Sequence, residues 1–263
     1  MLVLEDGTVY RGRPYGAHGV VVGELVFTTS MTGYQEVVTD PSFAGQLITF
    51  TQPMIGNYGV EPDVSESALP HARAVIVREG RNSTPLDREG FSDWLARHGV
   101  VGLQGVDTRA ITRRLRDGGA VRAAVSTATM PLDQVLELVQ AAPEMSGQAL
   151  AGTVSLTAPE SFPAVGGERC HVVLLDYGVK HSIVRLLQEA GARVTVMPWD
   201  SSAEAVLAAD PDGILLANGP GDPAALPGCV AAVRDLVGSR PIFGICLGHQ
   251  LLALALGGRT EKM

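Results

Sequence analysis

Short apolar runs separated by turn residues dominate the first half of the chain. MLVLEDGTVYRG has apolar stretches on both sides of Asp6-Gly7, a strong hairpin signal because this dipeptide accepts positive φ angles. The other strand-like runs, beginning at residues 24, 46, 72 and 121, are ELVFTT, QLITFT, ARAVIVRE and VRAAVS. The pattern predicts a strand-rich mixed N-terminal domain.

Three segments of this first half have helical spacing instead. FSDWLARHG begins at residue 91, and DTRAITRRLRDGG opens on Asp107 as its N-cap and stops at Gly118-Gly119. MPLDQVLELVQAA is predicted to place its apolar residues on one face, namely Leu132, Val135, Leu136 and Val139.

Strand–helix alternation begins after residue 168. Residues 141–168 hold Pro, Gly, Ser and Thr without periodicity, so we predict domains at 1–145 and 169–263 with a linker at 146–168. Four short apolar strands then alternate with helical segments: HVVLLD, RVTVMP, GILLA and PIFGI. This order predicts an α/β domain with a parallel sheet covered on both faces.

The helical segments of the second half have recognisable ends. Ser201 and Glu204 fit a capping box before SAEAVLAAD, and Gly191 fits the stop of SIVRLLQEAG. The face predicted for the latter helix comprises Ile183, Leu186, Leu187 and Ala190.

Composition limits the possible functions. The 263 residues carry 20 basic and 28 acidic side chains, a net charge of −8, without a basic tract, which disfavours nucleic-acid and anionic-membrane partners. No apolar run approaches the roughly 18 residues of a membrane span, and the start lacks a signal-peptide pattern, so we expect a cytoplasmic protein. Three irregularly spaced cysteines favour a reducing compartment and predict neither disulfides nor a metal site.

Ligands of parallel sheets bind outside the carboxyl ends of the strands, which selects the loops DYGVKHS, NGPGDP and GICLGHQ. In the last loop, Cys246 occupies the turn between a strand and a helix, with Gly244 and Gly248 small enough for a nucleophile elbow. The helix N-terminus favours a thiolate there, and the amide of Leu247 would face a developing oxyanion. The alternative is a structural cysteine packed at a strand end.

The loop NGPGDP has two glycines around Pro220. Gly219 and Gly221 would let main-chain N–H groups face a ligand, although an ordinary turn between strand and helix has the same composition. Since this loop and the cysteine loop share one sheet edge, the pair suggests acyl transfer, in which a thiolate attacks a carbonyl and backbone donors hold the oxyanion.

No histidine has the placement expected of a catalytic base. His249 lies three residues after Cys246, but a helical side chain leans over the preceding turn, so a structural role is favoured. His171 starts a strand and His181 opens a helix, and no motif surrounds the remaining three, His18, His71 and His98.

The combination of GICLGHQ and an upstream NGPGDP resembles the triad-type, class I glutamine amidotransferases, whose cysteine hydrolyses glutamine to glutamate and ammonia. Residues 24–60 and 105–125, together with DYGVKHSIVRLL, are similar to the small subunit of carbamoyl-phosphate synthase. The resemblance runs from the first residues to the end of the chain.

This resemblance implies a role for particular residues. Cys246 would form a glutamyl thioester, and Gln250 would contact the substrate. Glutamine or its oxyanion would also be bound by Gly219, Gly221 and Leu247, and Ser42 would reach glutamine from the first domain. The family's triad adds a His-x-Glu pair nearer the C-terminus, so we expect the second domain to be incomplete at Met263 and its base to lie beyond it.

The resemblance also implies a partner. A large synthetase subunit would use the ammonia, bicarbonate and ATP to make carbamoyl phosphate for arginine or pyrimidine biosynthesis. The chain has neither G-x-x-x-x-G-K-[ST] nor G-x-G-x-x-G, so we expect no cofactor here, with ATP and magnesium on the partner.

Three other interpretations remain open from the sequence. The chain could be the glutaminase component of another synthase, although the leading domain argues against that. It could bind a partner without catalysis, or be a stand-alone cysteine hydrolase, for which residues 1–150 would have no evident purpose.

Overall fold

A computed structural model describes residues 1–84 and 88–262, and the chain folds as two units, Met1–Glu144 and Met145–Met263. The strands of unit 1 are β1 (Leu2–Leu4), β2 (Val9–Tyr10), β3 (Arg13–Gly16), β4 (Val20–Thr28), β5 (Gln46–Phe50), β6 (Met54–Ile55), β7 (Ala74–Val77), β8 (Glu79–Gly80), β9 (Val101–Gln104) and β10 (Val121–Ser126). Its helices are α1 (Tyr34–Thr39), α2 (Phe91–Arg97), α3 (Thr108–Gly118) and α4 (Leu132–Ala141).

Unit 1 is built on an eight-stranded mixed sheet of order β2-β1-β10-β4-β5-β7-β9-β3, beside a parallel pair of β6 and β8. Strands β4, β5, β7 and β9 are parallel, and the outer strands are antiparallel to their neighbours. Only Arg11 and Gly12 join β2 to β3, which stand at opposite ends of this order. Because so short a connection reaches at most about 10 Å, the sheet must curl until its two edges approach each other.

The two faces of this sheet bury separate apolar clusters. Leu25, Leu47 and Ile76 pack on one face with Ile111 and Leu115 of α3. The opposite face carries an aromatic cluster, in which α1 and α2 supply side chains that include Tyr34, Phe91 and Trp94. Alternate side chains of each strand point to opposite faces, so both clusters follow from the period-two pattern of the sequence.

The local predictions for unit 1 are largely confirmed. β1 and β2 form the predicted hairpin, with Gly7 at φ 84°. Helix α3 begins after Asp107, whose carboxylate accepts from the N–H of Ala110 at 3.0 Å, and it ends at Gly119. The face predicted for α4 is partly wrong, because Leu132 is 42% exposed while Val135 and Val139 are fully buried.

Unit 2 contains five strands and five helices within residues 145–262. They are α5 (Ala151–Val154), β11 (Glu160–Phe162), β12 (Cys170–Asp176), α6 (His181–Glu189), β13 (Ala192–Pro198), α7 (Ala203–Ala208), β14 (Gly213–Leu216), α8 (Pro227–Leu236), β15 (Ile242–Gly244) and α9 (Leu247–Ala255). The sheet order is β11-β13-β12-β14-β15, in which only β11 is antiparallel to its neighbour.

Both faces of this sheet are covered, as the sequence predicts. Val173 and Leu175 of β12 pack with side chains of α7, α8 and α9, whereas Leu174 packs with Val184 of α6. The α/β class of this unit is therefore confirmed.

Three predictions in unit 2 differ from the structure. The segment 146–168, predicted as a linker, contains α5 and β11, and β11 is held by pairing with β13 rather than by an apolar pattern of its own. The capping box of Ser201 and Glu204 is wrong, because the N-cap of α7 is Ser202, whose hydroxyl accepts from the N–H of Ala205 at 3.2 Å. Leu186, predicted on the buried face of α6, is 56% exposed.

Candidate active site

Cys246 lies in a strained turn at the carboxyl end of β15. Its backbone has φ 48° and ψ −109°, and only one other non-glycine residue of the described chain, Asp210, has a positive φ. Such a conformation costs on the order of 1–3 kcal/mol and persists only where the surroundings enforce it. The turn exposes the Cys246 side chain at the N-terminus of α9, which is the geometry of a nucleophile elbow.

Two glycines make this turn possible. A Cβ on Gly244 would lie 2.5 Å from the backbone nitrogen of His249, and one on Gly248 would lie 2.2 Å from the carbonyl oxygen of Leu216. Both distances are far below van der Waals contact, so no other residue fits without moving the backbone. Gly248 N–H also donates to the carbonyl of Ala217 at 3.0 Å, which fixes the start of α9 against the end of β14.

The loop NGPGDP lies directly against the cysteine loop. A Cβ on Gly219 would stand 2.1 Å from the carbonyl oxygen of Tyr177 and 3.0 Å from Cδ2 of Leu247. Gly221 has φ +94°, a conformation that side chains other than hydrogen disfavour. Because glycine has no side chain, the loop NGPGDP can pack closely against both the backbone at Tyr177 and the start of α9.

The third loop, DYGVKHS, is held by polar contacts. Oδ1 of Asp176 accepts from the N–H groups of Gly178 at 3.0 Å and Val179 at 2.7 Å. Nδ2 of Asn218 donates to the carbonyl of Gly178 at 2.8 Å, which joins this loop to NGPGDP. The three loops selected from the sequence thus meet at one edge of the sheet, as predicted.

The backbone N–H of Leu247 is the donor that the turn itself offers. Leu247 is only 2% exposed as a whole residue, and its side chain packs in the core of unit 2. Its N–H has no acceptor among the residues that the structure describes, as expected in the first turn of a helix. Gln250 stands one turn later with its side chain exposed, and its N–H donates to the carbonyl of Cys246 at 3.0 Å.

Residues 147–150 pack against the loop NGPGDP, a contact that the sequence does not indicate. Oδ2 of Asp222 accepts from the N–H of Gly147 at 2.8 Å, and the N–H of Asp222 donates to the carbonyl of Gln148 at 2.9 Å. A Cβ on Gly221 would approach that same carbonyl to 2.6 Å. This segment has no periodicity, and the contacts depend on backbone groups, so no sequence pattern indicates them.

Ser42, the predicted site residue of unit 1, lies on a short 3₁₀ helix, Pro41–Phe43. Its side chain is half-buried, and its N–H donates to Oδ1 of Asp40 at 2.9 Å. Asp40 thereby caps the helix and fixes the backbone around Ser42.

No histidine of unit 2 hydrogen-bonds to the thiol in the described part of the chain. No side chain in residues 1–84 or 88–262 hydrogen-bonds to Sγ of Cys246. His171 is at the amino end of β12, opposite the three loops, and its Nε2 lies 2.8 Å from Oγ1 of Thr195. His181 and His249 are both exposed, the former at the start of α6 and the latter on α9.

The other cysteines have different surroundings. Cys229 is 3% exposed, and its Sγ donates to the carbonyl of Trp199 at 3.3 Å. Burial is the main reason that the pKa of this thiol is raised to about 11, with a smaller effect from the nearby carboxylate of Asp200. Cys170 is half-buried at the amino end of β12, away from the candidate site.

Two kinds of feature are absent from the described residues, a metal site and a membrane span. In that part of the chain, no three His, Cys, Asp or Glu side chains are grouped so that they could hold a metal ion. Nor does any described helix combine the length and apolar character needed to cross a bilayer.

Comparisons with known proteins divide the chain in the same way. Residues 2–125 match the family described as "Carbamoyl-phosphate synthase small chain, CPSase domain", and residues 173–263 match "Glutamine amidotransferase class-I". The whole chain is 47% identical to the carbamoyl phosphate synthase small chain of Parasynechococcus marenigrum and covers 73% of it. The same protein of Akkermansia muciniphila is 45% identical, with 100% of this chain and 73% of the relative covered. A solved aminopeptidase from Aneurinibacillus sp. strain AM-1, at 14% identity, covers 98% of this chain and 69% of its own, with a TM-score of 0.30 that supports no conclusion.

Proposed function

Because the chain belongs to the carbamoyl phosphate synthase small chain family, we propose that its second unit hydrolyses glutamine through a thioester on Cys246. The observation that carries this proposal is the strained backbone of Cys246, with φ 48° enforced by glycines at positions 244 and 248. Strain of this kind has no value for a structural cysteine, whereas it exposes a nucleophile at a helix N-terminus.

The chemistry has two steps. The sulfur of Cys246 attacks the side-chain amide carbon of glutamine, an S–C bond forms, the C–N bond breaks, and the nitrogen leaves as ammonia with the proton of the thiol. Water then adds to the thioester carbon, the S–C bond breaks, and glutamate and the free thiol are released. Oxygen carries negative charge in the tetrahedral intermediate of each step, and the N–H of Leu247 is the proposed donor to it.

Glutamine would lie across the three loops. We assign Gly219 and Gly221 to its binding because their loop packs against the cysteine loop, where a Cβ on Gly219 would lie 3.0 Å from Cδ2 of Leu247. The exposed amide of Gln250, one helical turn from the thiol, suits the polar groups of the substrate. Ser42 of unit 1 is a further proposed ligand, so Ser42→Ala should raise the glutamine KM by roughly 2- to 13-fold, the value of one neutral hydrogen bond. An unchanged KM would remove Ser42 from the site.

None of the described residues is positioned as the acid or base that transfers protons between the thiol, the leaving nitrogen and water. Neither His249 nor His181 hydrogen-bonds to the Cys246 thiol among the described residues, and His171 is at the other end of its strand. General acid–base help is typically worth about 10²–10⁴-fold, so this 263-residue chain should label at Cys246 but turn over glutamine slowly. The second candidate function of this chain is therefore to bind a partner without hydrolysing glutamine.

The ammonia would pass to a large synthetase subunit, which makes carbamoyl phosphate from bicarbonate and ATP. Two features support this division of labour: the sequence has no phosphate-binding glycine motif, and unit 1 belongs to the small-chain family. ATP and magnesium would accordingly be bound by the partner.

The test uses the protein with its large subunit. Cys246→Ser should abolish glutamine-dependent synthesis of carbamoyl phosphate and leave ammonia-dependent synthesis unchanged. Cys229→Ser is the matched control, because this buried thiol donates to Trp199 and lies outside the three loops. Equal loss in both variants, or retained glutamine-dependent synthesis in Cys246→Ser, would refute the assignment.

A further inference from the structure

Unit 1 has a set of arginines that have no partner among the residues that the structure describes. Seven of the twelve arginines in residues 1–144 donate to a carboxylate or a carbonyl group. Within the described ranges 1–84 and 88–262, the other five guanidinium groups make no hydrogen bond or ion pair; they are Arg11, Arg13, Arg78, Arg109 and Arg113. All five side chains are exposed.

The five residues converge on the connection between β9 and α3. Arg13 is paired in register with Gln104, the last residue of β9. The carbonyl of Arg78 accepts from the N–H of Gly105 at 3.0 Å. A Cβ on Gly12 would lie 2.5 Å from the carbonyl oxygen of Gln104, so the segment that includes Arg11 also lies against this end of β9.

Helix α3 continues the same surface. Arg109 and Arg113 are four residues apart and therefore one turn apart on the same side of the helix. Ile111 and Leu115 are buried on the opposite side, so the two guanidinium groups face away from the core.

Three carboxylates that lie within a few residues of these arginines or of their helix have other partners. Asp107 caps α3 through the N–H of Ala110, Glu79 pairs with Arg81, and Asp6 pairs with Arg114. Of these three carboxylates Asp107 alone has no cationic partner, so the five arginines leave a local excess of positive charge on a chain whose net charge is −8. In agreement, the pKa of the Met1 amine is lowered, mainly by burial and further by the charge of Arg11.

We propose that this arginine patch, defined as Arg11, Arg13, Arg78, Arg109 and Arg113, docks against a carboxylate-rich surface of the large synthetase subunit. The inference rests on the proposed function, which requires such a partner. The five side chains are exposed on three separate segments and line neither of the cavities beside Trp199 and Tyr58, so the patch is an open surface rather than a pocket for a small anion. Arginine is enriched at protein interfaces, and the acidic net charge repels nucleic acid.

The test is a binding measurement with the purified large subunit of the same organism. Arg109→Glu combined with Arg113→Glu should weaken the affinity by about tenfold or more at 50 mM salt, chiefly through slower association. The deficit should shrink at 500 mM salt, where the Debye length falls to roughly 4 Å. Glutamate has a helix propensity close to that of arginine, so α3 should still form, which circular dichroism checks.

The matched control is Arg169→Glu combined with Arg259→Glu. Both side chains are exposed in unit 2 and make no hydrogen bond or ion pair with the described residues, and the pair changes the net charge equally. The proposal is supported if the control variant binds the large subunit within twofold of the wild type while the α3 variant binds it tenfold more weakly.

Wild-type binding that the α3 variant retains in full would overturn the inference and leave the proposed function intact. Equal loss in the control variant would also overturn it, because total charge would then suffice. No wild-type binding would contradict the proposed partner itself. If the wild type binds a 20-nucleotide RNA at 150 mM salt and the α3 variant does not, the ligand of the patch is a nucleic acid and the inference is wrong.

Discussion

Gly248→Ala is the substitution that probes the cysteine turn without touching the thiol. The new Cβ would lie 2.2 Å from the carbonyl oxygen of Leu216 and 2.5 Å from its carbonyl carbon. Both atoms belong to β14 at the centre of unit 2, so the start of α9 must move away from the sheet by about 1 Å. That movement stretches the 3.0 Å hydrogen bond from Gly248 to Ala217 and displaces Cys246 with it.

The expected effect has two parts. Overpacking of this kind costs roughly 1–3 kcal/mol of unfolding free energy, which urea denaturation measures. A displacement of about 1 Å can cost on the order of 10²-fold in rate, so labelling of Cys246 by an electrophilic glutamine analogue should slow by that factor.

Gly228→Ala is the matched control. Gly228 lies in α8, and a Cβ there would meet no atom within 4 Å. Alanine in a helix is favoured over glycine by up to about 1 kcal/mol, so this variant should be neutral or slightly more stable and should label at the wild-type rate. If a folded Gly248→Ala protein labels within twofold of the wild type, close packing at this glycine does not position the thiol.

Three further predictions concern unit 2. Ser202→Ala should destabilise the fold by about 1 kcal/mol through loss of the α7 N-cap, whereas Ser201→Ala should have little effect; thermal unfolding of both variants tests the pair. Tyr177→Phe should raise the free energy of unfolding by about 1 kcal/mol, since its buried hydroxyl has no partner among the described residues, and a loss in urea denaturation would contradict this. Alkylation of Cys229 should be negligible at pH 8 and rise about tenfold per pH unit towards its pKa of about 11, and a plateau below pH 9 would contradict that value. The same raised pKa means that the stabilising effect of the neutral Cys229 thiol is present below about pH 9 and is lost as pH rises towards 11.

Elements that carry their own pattern could be predicted from the sequence. Helix α3 has an N-cap at Asp107 and a stop at Gly119, and strands such as β12 and β10 are apolar runs between turns. The meeting of the three loops also followed, because parallel strands place their carboxyl ends at one edge.

What could not be predicted depends on tertiary contacts. Strand β11 exists through its pairing with β13. Residues 147–150 are held by two hydrogen bonds, from Gly147 N–H to the Asp222 carboxylate and from Asp222 N–H to the Gln148 carbonyl. The choice of Ser202 over Ser201 as the cap is a matter of backbone conformation, with φ −73° and ψ 158° at the capping residue. Two adjacent serines give the sequence no means of deciding between them.

The candidate site was likewise predictable where it has a local sequence pattern and unpredictable where it depends on tertiary contacts. The glycines at positions 219, 244 and 248 were identified from the sequence, but the reason for them is a set of backbone approaches between 2.1 and 2.5 Å from a hypothetical Cβ. Asp176 and Asn218 hydrogen-bond to the backbone of the loop DYGVKHS and hold it in place. The sequence does not indicate these roles, because neither residue is part of a known catalytic or binding motif.

The most direct test of the central claim is peptide mapping after reaction with an electrophilic glutamine analogue at neutral pH. The account predicts one covalent adduct, on Cys246, because this thiol is exposed in the strained turn while Cys229 is buried and neutral. Free glutamine should protect Cys246 from the reagent, whereas an equal concentration of glutamate should protect it less. An adduct on Cys170 or Cys229 in place of Cys246, or modification of Cys246 at a rate that glutamine does not change, would contradict the account.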